Sequence, residues 1–235
     1  MRRPKLFIPI SFRTGRLLAM ALVCCLSTAV QAREKLPEVT KDGLHLVPDT
    51  KVYAVYAKPG ASLEKYTQVT LVDCYVQFKP NFQRDYNMDE IGLVGQITNQ
   101  DMENMKKWMA AEFKKVFTEQ LDKGGHEVVD TVGPNVLLLR PAIINLEVTA
   151  PDTMMGGMDR TYTASAGQMT LYMELYDSAT SELLARVIDP EAGQNGGMMM
   201  VANRVTNAAQ ADQILRRWAD LLNSHLGEAQ QPAGN

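Results

Sequence analysis

The chain of 235 residues lacks nearly every pattern by which an enzyme announces itself. It has three histidines, His45, His126 and His225, and no two of them are close in sequence. No Cys-x-x-Cys is present, so neither a zinc knuckle nor a dithiol redox motif is encoded. There is no G-x-S-x-G nucleophile elbow, no phosphate-binding P-loop and no dinucleotide fingerprint. The segment HEVVD, residues 126 to 130, begins like a zinc-protease helix. It has Asp130 where the second histidine ligand must stand, and its valines suit a strand, so two ligands cannot share a helical face. Long apolar runs are missing too. The best, Leu17 to Val30, falls short of the roughly 20 residues that span a bilayer.

That short run has a different use. Arg2, Arg3, Lys5, Arg13 and Arg16 precede or open it, and no acidic residue occurs before Glu34. It ends in Val30-Gln31-Ala32, with small residues at the two positions a signal peptidase reads. A basic flank, a short apolar core and a small-residue site predict a secretory signal peptide over residues 1–32, cleaved after Ala32, and hence a periplasmic protein. Lipid attachment is disfavoured. Cys24 follows Val23 and Cys25 follows Cys24, so neither has the small preceding residue that lipoprotein processing requires. Peripheral membrane association stays open, with no anchor predicted in the mature chain.

Cleavage changes what the composition says. The 24 Lys and Arg residues fall to 19 while all 27 Asp and Glu remain, giving a formal charge of −8. Nucleic acid and anionic membrane surfaces both select cationic footprints, so neither is expected as the main partner. Cys24 and Cys25 leave with the peptide. The remaining thiol, Cys74, has no internal partner, so the fold must rest on its apolar core, for which about 200 residues suffice.

Residues 33–65 are punctuated by Pro37, Pro48 and Pro59 and read as an N-terminal arm, with a turn at Lys58-Pro59-Gly60. In YTQVTLVDCYVQF, residues 66 to 78, Thr70, Val72, Cys74, Val76 and Phe78 alternate, which predicts one strand with those side chains inward. Residues 79–98 read as a long loop. Thr98 with Asp101 forms a capping box. The stripe Met105, Met109, Phe113, Phe117 and Leu121 then predicts a helix ending at Gly124-Gly125. Val128-Val129 reads as a short strand. In residues 135 to 149, Val136, Leu138, Ala142, Ile144, Leu146 and Val148 share one parity, and Pro141 predicts an edge or bent strand. Met169, Leu171, Met173 and Leu175 alternate up to a turn at 177–181, and LLARVID returns, a β-hairpin. A last helix within 201–226 buries Leu215, Trp218, Leu222 and Leu226, and residues 227–235 read as a disordered tail. Strands grouped rather than alternating with helices predict an α+β domain over residues 66–226. Its expected architecture is a single, mainly antiparallel sheet with two principal helices packed on one face.

Two sets of side chains could carry chemistry. Met154, Met155 and Met158 lie in TMMGGMDR, and Met198, Met199 and Met200 in QNGGMMMVAN. Thioethers are soft ligands suited to copper(I), so these six form a candidate metal site, although no histidine supports either stretch. Carboxylates cluster at Asp85, Asp89 and Glu90 and at Asp189 and Glu191. Paired carboxylates can act in acid–base hydrolysis when held at a defined separation. Asp189, closing a strand before Pro190, reads more simply as a turn former.

The segments KYTQVTLVDCYVQF, NVLLLRPAIINLEVTAP, LYDSATSELLARVIDPEAG and RRWADLLNSHL resemble those of the bacterial family called domain of unknown function 3313. Arg-Val-Ile-Asp at 186 to 189 and the final Trp218-Ala219 pair are the most specific. The resemblance spans residues 45–226 and implies an exported α+β envelope domain with no established activity, cofactor or catalytic residue. Many members are lipid-anchored, and this chain departs from them at the cysteine. The expectation is therefore a non-enzymatic periplasmic protein that binds or assembles with an envelope protein or small ligand. A copper binder and a carboxylate hydrolase are the alternatives.

Overall fold

The computed structural model describes residues 36–89, 96–149, 161–163, 167–192, 200–202 and 204–230. Among these, eight strands form one sheet: β1 (His45–Leu46), β2 (Ala54–Ala57), β3 (Gln68–Leu71), β4 (Tyr75–Phe78), β5 (Glu127–Val128), β6 (Val136–Val148), β8 (Gly167–Asp177) and β9 (Leu183–Ala192). The helices are α1 (Phe82–Asp89), α2 (Asn99–Lys123) and α3 (Arg204–Gln230), and β7 (Thr161–Thr163) pairs with β10 (Met200–Ala202) in a separate ribbon. The strand order is β1-β2-β9-β8-β6-β3-β5, with β4 also paired to β6.

The fold is α+β, but its sheet is mixed rather than mainly antiparallel. Strands β1, β2, β9, β8 and β6 pair antiparallel, whereas β6 runs parallel to both β3 and β4, and β3 parallel to β5. The cause is α2. Parallel neighbours need a long crossover, and a 25-residue helix between β4 and β5 supplies one. The segment read as a loop also contains a helix, α1. The segment read as an arm contributes β1 and β2 to the sheet. At the other end, α3 continues past residue 226 to Gln230, whose Nε2 donates to the Tyr66 carbonyl at 2.7 Å.

Helix α2 starts as its sequence predicts. The Thr98 hydroxyl accepts from the Asp101 N–H, while the Asp101 carboxylate accepts from the Thr98 N–H at 2.9 Å. Met109, Phe113, Val116, Phe117 and Leu121 are buried along it. They share one core cluster with Leu215, Trp218, Leu222 and Leu226 of α3 and with the sheet residues Val69, Leu71, Leu137, Leu139, Ile143, Leu171, Met173 and Leu175. The sheet face carrying those residues is called inner here, and the opposite face outer.

Two irregularities decide which side chains reach the inner face. Leu71 pairs with Leu139 and Tyr75 with Ala142, so four steps on one strand match three on the other. One residue is extra, and side-chain parity reverses across it. Val69 and Leu71 are buried before the break and Cys74, Val76 and Phe78 after it, while Val72 is exposed. The expectation of Thr70 and Val72 inward is thus corrected, and that of Cys74, Val76 and Phe78 holds. The Val72 N–H donates to the Leu139 carbonyl, so Pro141, two residues on, turns its missing N–H toward the same break. That is why a proline sits inside β6, and of the two expectations, an edge or a bent strand, the edge is overturned because β6 is central. The second irregularity is Asn145 (φ 52°), where the β6–β8 register also shifts. Leu137, Leu139 and Ile143 face inward before it and Leu146 after it, which overturns the single even parity read from the sequence.

A close approach joins α2 to α3. A Cβ on Gly124 would lie 2.4 Å from the Asn223 side chain. Asn223 Nδ2 donates to the Gln120 carbonyl, and its Oδ1 lies 2.9 Å from Nδ1 of the buried His126. Gly124→Ala is expected to cost about 1–3 kcal/mol through overpacking. The loss should shrink in an Asn223→Ala background, a coupling that urea denaturation of the four chains reads directly.

Candidate functional site

The outer face divides into a covered and an uncovered half. Over β2 and β9 it is covered by the segment of residues 36–46. Leu44, Ala54 and Tyr56 form a second small core with Leu36, Leu46, Leu183 and Ile188. The covering piece is a tight turn at 40–44, closed by the Thr40 N–H to the Leu44 carbonyl at 2.8 Å. Over β6, β8 and β4 no described segment covers the face. There Tyr75, Ala142 and Tyr172 lie in one cross-strand row, with Tyr75 61% exposed.

A charged row marks the boundary. Register places Arg140 of β6, Glu174 of β8 and Arg186 of β9 side by side. Glu174 is buried and accepts from the Tyr176 hydroxyl at 2.7 Å, the Tyr172 hydroxyl at 3.1 Å, and Arg186 Nη2 and Nε at 2.8 and 3.2 Å. Arg186 also donates to both oxygens of Asp42 at the tip of the covering turn, and its guanidinium lies 5.5 Å from the Tyr172 ring centre. Arg140 is different. Its Nη1 comes no closer than 3.8 Å to Glu174, and its side chain is 68% exposed.

Electrostatics follow from this geometry. Burial by itself would raise the Glu174 carboxyl, but the hydrogen bonds from Tyr176, Arg186 and Tyr172 outweigh it and hold the group below its ordinary value. The Arg186 and Thr40 hydrogen bonds likewise hold Asp42 well below the usual range. Burial, then the Glu174 charge, pushes the Tyr172 phenol up to about 12. Carboxyls depressed in the folded state bind protons more weakly than in the unfolded chain. Their contribution is present above the unfolded value near pH ~4 and is lost as pH falls through the lower folded values. Glu174→Gln is therefore expected to flatten the acid limb of a stability-versus-pH curve below about pH 4. An unchanged limb would refute this assignment of Glu174.

The sequence-predicted candidates fare unevenly. Met154, Met155, Met158, Met198 and Met199 lie outside the described residues, as does the side chain of Met200. The backbone pairing is described: Met200 lies opposite Thr163 and Ala202 opposite Thr161. Asp85, an exposed residue of α1, pairs with its neighbour Arg84, while Glu90 and the Asp89 side chain lie outside the described residues. Asp189 is not a turn former. It is buried within β9 and accepts from the Trp218 indole at 2.8 Å and the Tyr53 N–H at 2.8 Å. Arg217 contacts both Asp189 and Glu191, so that carboxylate pair is bridged by a cation. Cys74 is buried, and burial pushes its thiol up to about 12, the behaviour of a small apolar side chain. Among the described residues, no group of three His, Cys, Asp or Glu side chains is placed to hold a metal. No described helix is long and apolar enough to cross a membrane.

The Arg140–Glu174–Arg186 row escaped sequence reading, though a signal for it existed. With Met169, Leu171, Met173 and Leu175 inward, Tyr172, Glu174 and Tyr176 must point the other way. Nothing local indicates that two arginines from other strands meet them there.

The profile described as "Protein of unknown function (DUF3313)" matches residues 42–222. The chain belongs to this family. The match begins at Asp42, the residue that grips Arg186, and ends at Leu222 in the buried stripe of α3. Among curated proteins the chain has no significant relative. Solved structures give distant likenesses. A PelC dodecamer from Paraburkholderia phytofirmans is 10% identical with a TM-score of 0.37, covering 72% of this chain and 95% of that one. A DUF330 protein from Xanthomonas campestris is 12% identical with a TM-score of 0.39, covering 70% and 85%. A DUF4136 family protein from Bacteroides thetaiotaomicron is 12% identical with a TM-score of 0.34, covering 72% and 96%. Likenesses at this level carry no functional argument.

Proposed function

We propose that this DUF3313 protein is exported to the periplasm and acts there by binding, through the uncovered half of its outer sheet face, without catalysing a reaction. The observation that carries the reading is the state of the buried carboxylates. Glu174, Asp177 and Asp189 are each occupied by hydrogen bonds that hold strands, turns and α3 together. The adjoining face instead presents tyrosines and an exposed arginine, residue types that dominate binding energy at protein interfaces. Export rests on the basic flank, the short apolar core and the Ala32 site. Fractionation of cells producing the tagged chain tests that half. The expected result is a processed protein released by osmotic shock, and an unprocessed chain in the cytoplasm would refute it. A hydrolase activity of the purified chain that vanishes in Asp85→Asn or Asp189→Asn would refute the non-enzymatic half.

A second reading is favoured by one observation, the pairing of β7 with β10. It brings together the backbones that adjoin the two methionine-rich stretches. On this reading Met154, Met155, Met158, Met198, Met199 and Met200 bind copper(I) as soft thioether ligands. Copper(I) titration should then show an affinity that drops at least tenfold when Met154, Met155, Met198 and Met199 are replaced. Equal affinity in the two chains would remove the reading.

A further inference from the structure

The end of the outer face away from the charged row is hollowed. Between the pairs Ile144–Thr170 and Glu147–Gln168, strand β6 takes three steps for two on β8, so it holds one extra residue. That residue is Asn145, whose φ of 52° lies where side chains other than glycine are uncommon. Such a bulge bends its strand and re-aims a side chain. Beside it opens a cavity of about 480 Å³, lined by Lys79, Asn145, Gln168, Thr170, Pro190 and Ala192 among others. Gln168 and Thr170 alternate with the buried Met169 and Leu171, so they reach the outer face, and register sets Ala192 and Pro190 opposite them on β9.

The chemistry of this lining is narrow. Its charges are already matched. Lys79 Nζ lies 2.6 Å from one Glu147 oxygen, Gln168 Nε2 donates to the other at 2.7 Å, and Glu191 is bridged to Arg217. An anion finds no free cation there, and a cation no free carboxylate. The groups without a partner among the described residues are neutral: both ends of the Asn145 amide, the Gln168 carbonyl oxygen and the Thr170 hydroxyl. Pro190 and Ala192 add an apolar wall. The floor is no sheet edge, since β8 is paired on both sides, so a peptide cannot add there as a strand.

We infer that this cavity binds an N-acetylated sugar unit of a neutral glycan. The Asn145 amide offers a donor and an acceptor side by side, the complement of an acetamido group. The Gln168 carbonyl oxygen and the Thr170 hydroxyl take ring hydroxyls, and the acetyl methyl rests on Pro190 and Ala192. This rests on the reading of the outer face as a binding surface and names a ligand for one end of it. The sugar is held without being cut, because glycosidic cleavage needs two carboxyl groups free to act on the bond, and Glu147 and Glu191 are both tied.

The test adds chitotetraose, a tetramer of N-acetylglucosamine, to the ¹⁵N-labelled chain. Saturable shifts are expected on the backbone amides of Asn145, Gln168, Thr170 and Ala192 and on the Asn145 side-chain amide. Asn145→Gly should weaken binding about tenfold through the loss of two hydrogen bonds. It should not lower the melting temperature, because glycine takes the left-handed backbone freely. Thr170→Val keeps the branched shape on the strand and gives an independent second loss. Cellotetraose, which has hydroxyls in place of the acetamido groups, should bind about tenfold more weakly than chitotetraose. Four results would overturn the inference. One is the absence of saturable shifts at these amides. A second is equal affinity for the two sugars, and a third is affinity unchanged in both variants. The fourth is tighter binding of an N-acetylated tetra-alanine amide at the same amides, which would make the cavity a peptide site. Each would leave the export and non-enzymatic readings to their own fractionation and turnover tests.

Discussion

Phe117→Ala is expected to destabilise the folded chain by about 4 kcal/mol, the range in which large-to-small core changes of a phenylalanine fall. Phe117 is wholly buried, and its ring stacks on that of Phe113 with centres 3.9 Å apart and planes 13° from parallel. Both rings sit in the core cluster that joins α2, α3 and the inner sheet face. Truncation removes the apolar area and the ring contact and leaves a cavity in the core. Against a total of about 5–15 kcal/mol this is a large fraction. Urea denaturation reads it, and Phe117→Leu gives a graded companion at about 1–2 kcal/mol if the alanine chain does not accumulate. A loss below about 1 kcal/mol for the alanine change would contradict a core centred on this pair.

Asp189→Ala should cost about 3 kcal/mol for a different reason. The carboxylate uses both of its oxygens: Oδ1 accepts from the Tyr53 N–H and Oδ2 from the Trp218 indole. It thus ties the segment before β2, strand β9 and helix α3 at one buried point. Removing it leaves two donors without acceptors, and each buried orphan costs about 1–3 kcal/mol. The informative control is Asp189→Asn. An amide has one oxygen, so it can serve Tyr53 or Trp218 but must turn its NH₂ toward the other donor. Asn is therefore expected to recover only part of the loss. The indole N–H resonance of Trp218 should move in both variants. An Asn variant as stable as the parent would show that one of the two hydrogen bonds is dispensable. The same bond joins two stretches far apart in the chain, Arg-Val-Ile-Asp at 186 to 189 and Trp218-Ala219.

Much of the candidate site stood half-visible in the sequence. The alternation of β8 assigns Tyr172, Glu174 and Tyr176 to the face opposite the core stripe, and LLARVID places Arg186 on the returning strand. Arg140 looked like an ordinary charge before a proline. Its position beside Glu174 follows only from the β6–β8 register, which pairs residues 34 apart in the chain. Asp42 is remoter still, 144 residues from Arg186.

What the sequence by itself determined are the features whose causes are local. Thr98 and Asp101 cap α2, the step-four stripe sets its buried side, the turn at 177–181 closes the β8–β9 hairpin, and Leu215, Trp218, Leu222 and Leu226 set the buried side of α3. Each depends on residues within a few positions of one another. Only the tertiary structure decided the parity of β3 and β6, the break between β3 and β4, the parallel pairing of β6, and the row of charges on the outer face. The physical reason is that a strand's side-chain period is two, so a single extra residue between Leu71 and Tyr75, or a single left-handed Asn145, moves every later side chain to the other face. Whether that residue is accommodated depends on the partner strand, and the partner is chosen by a helix that carries the chain across the sheet.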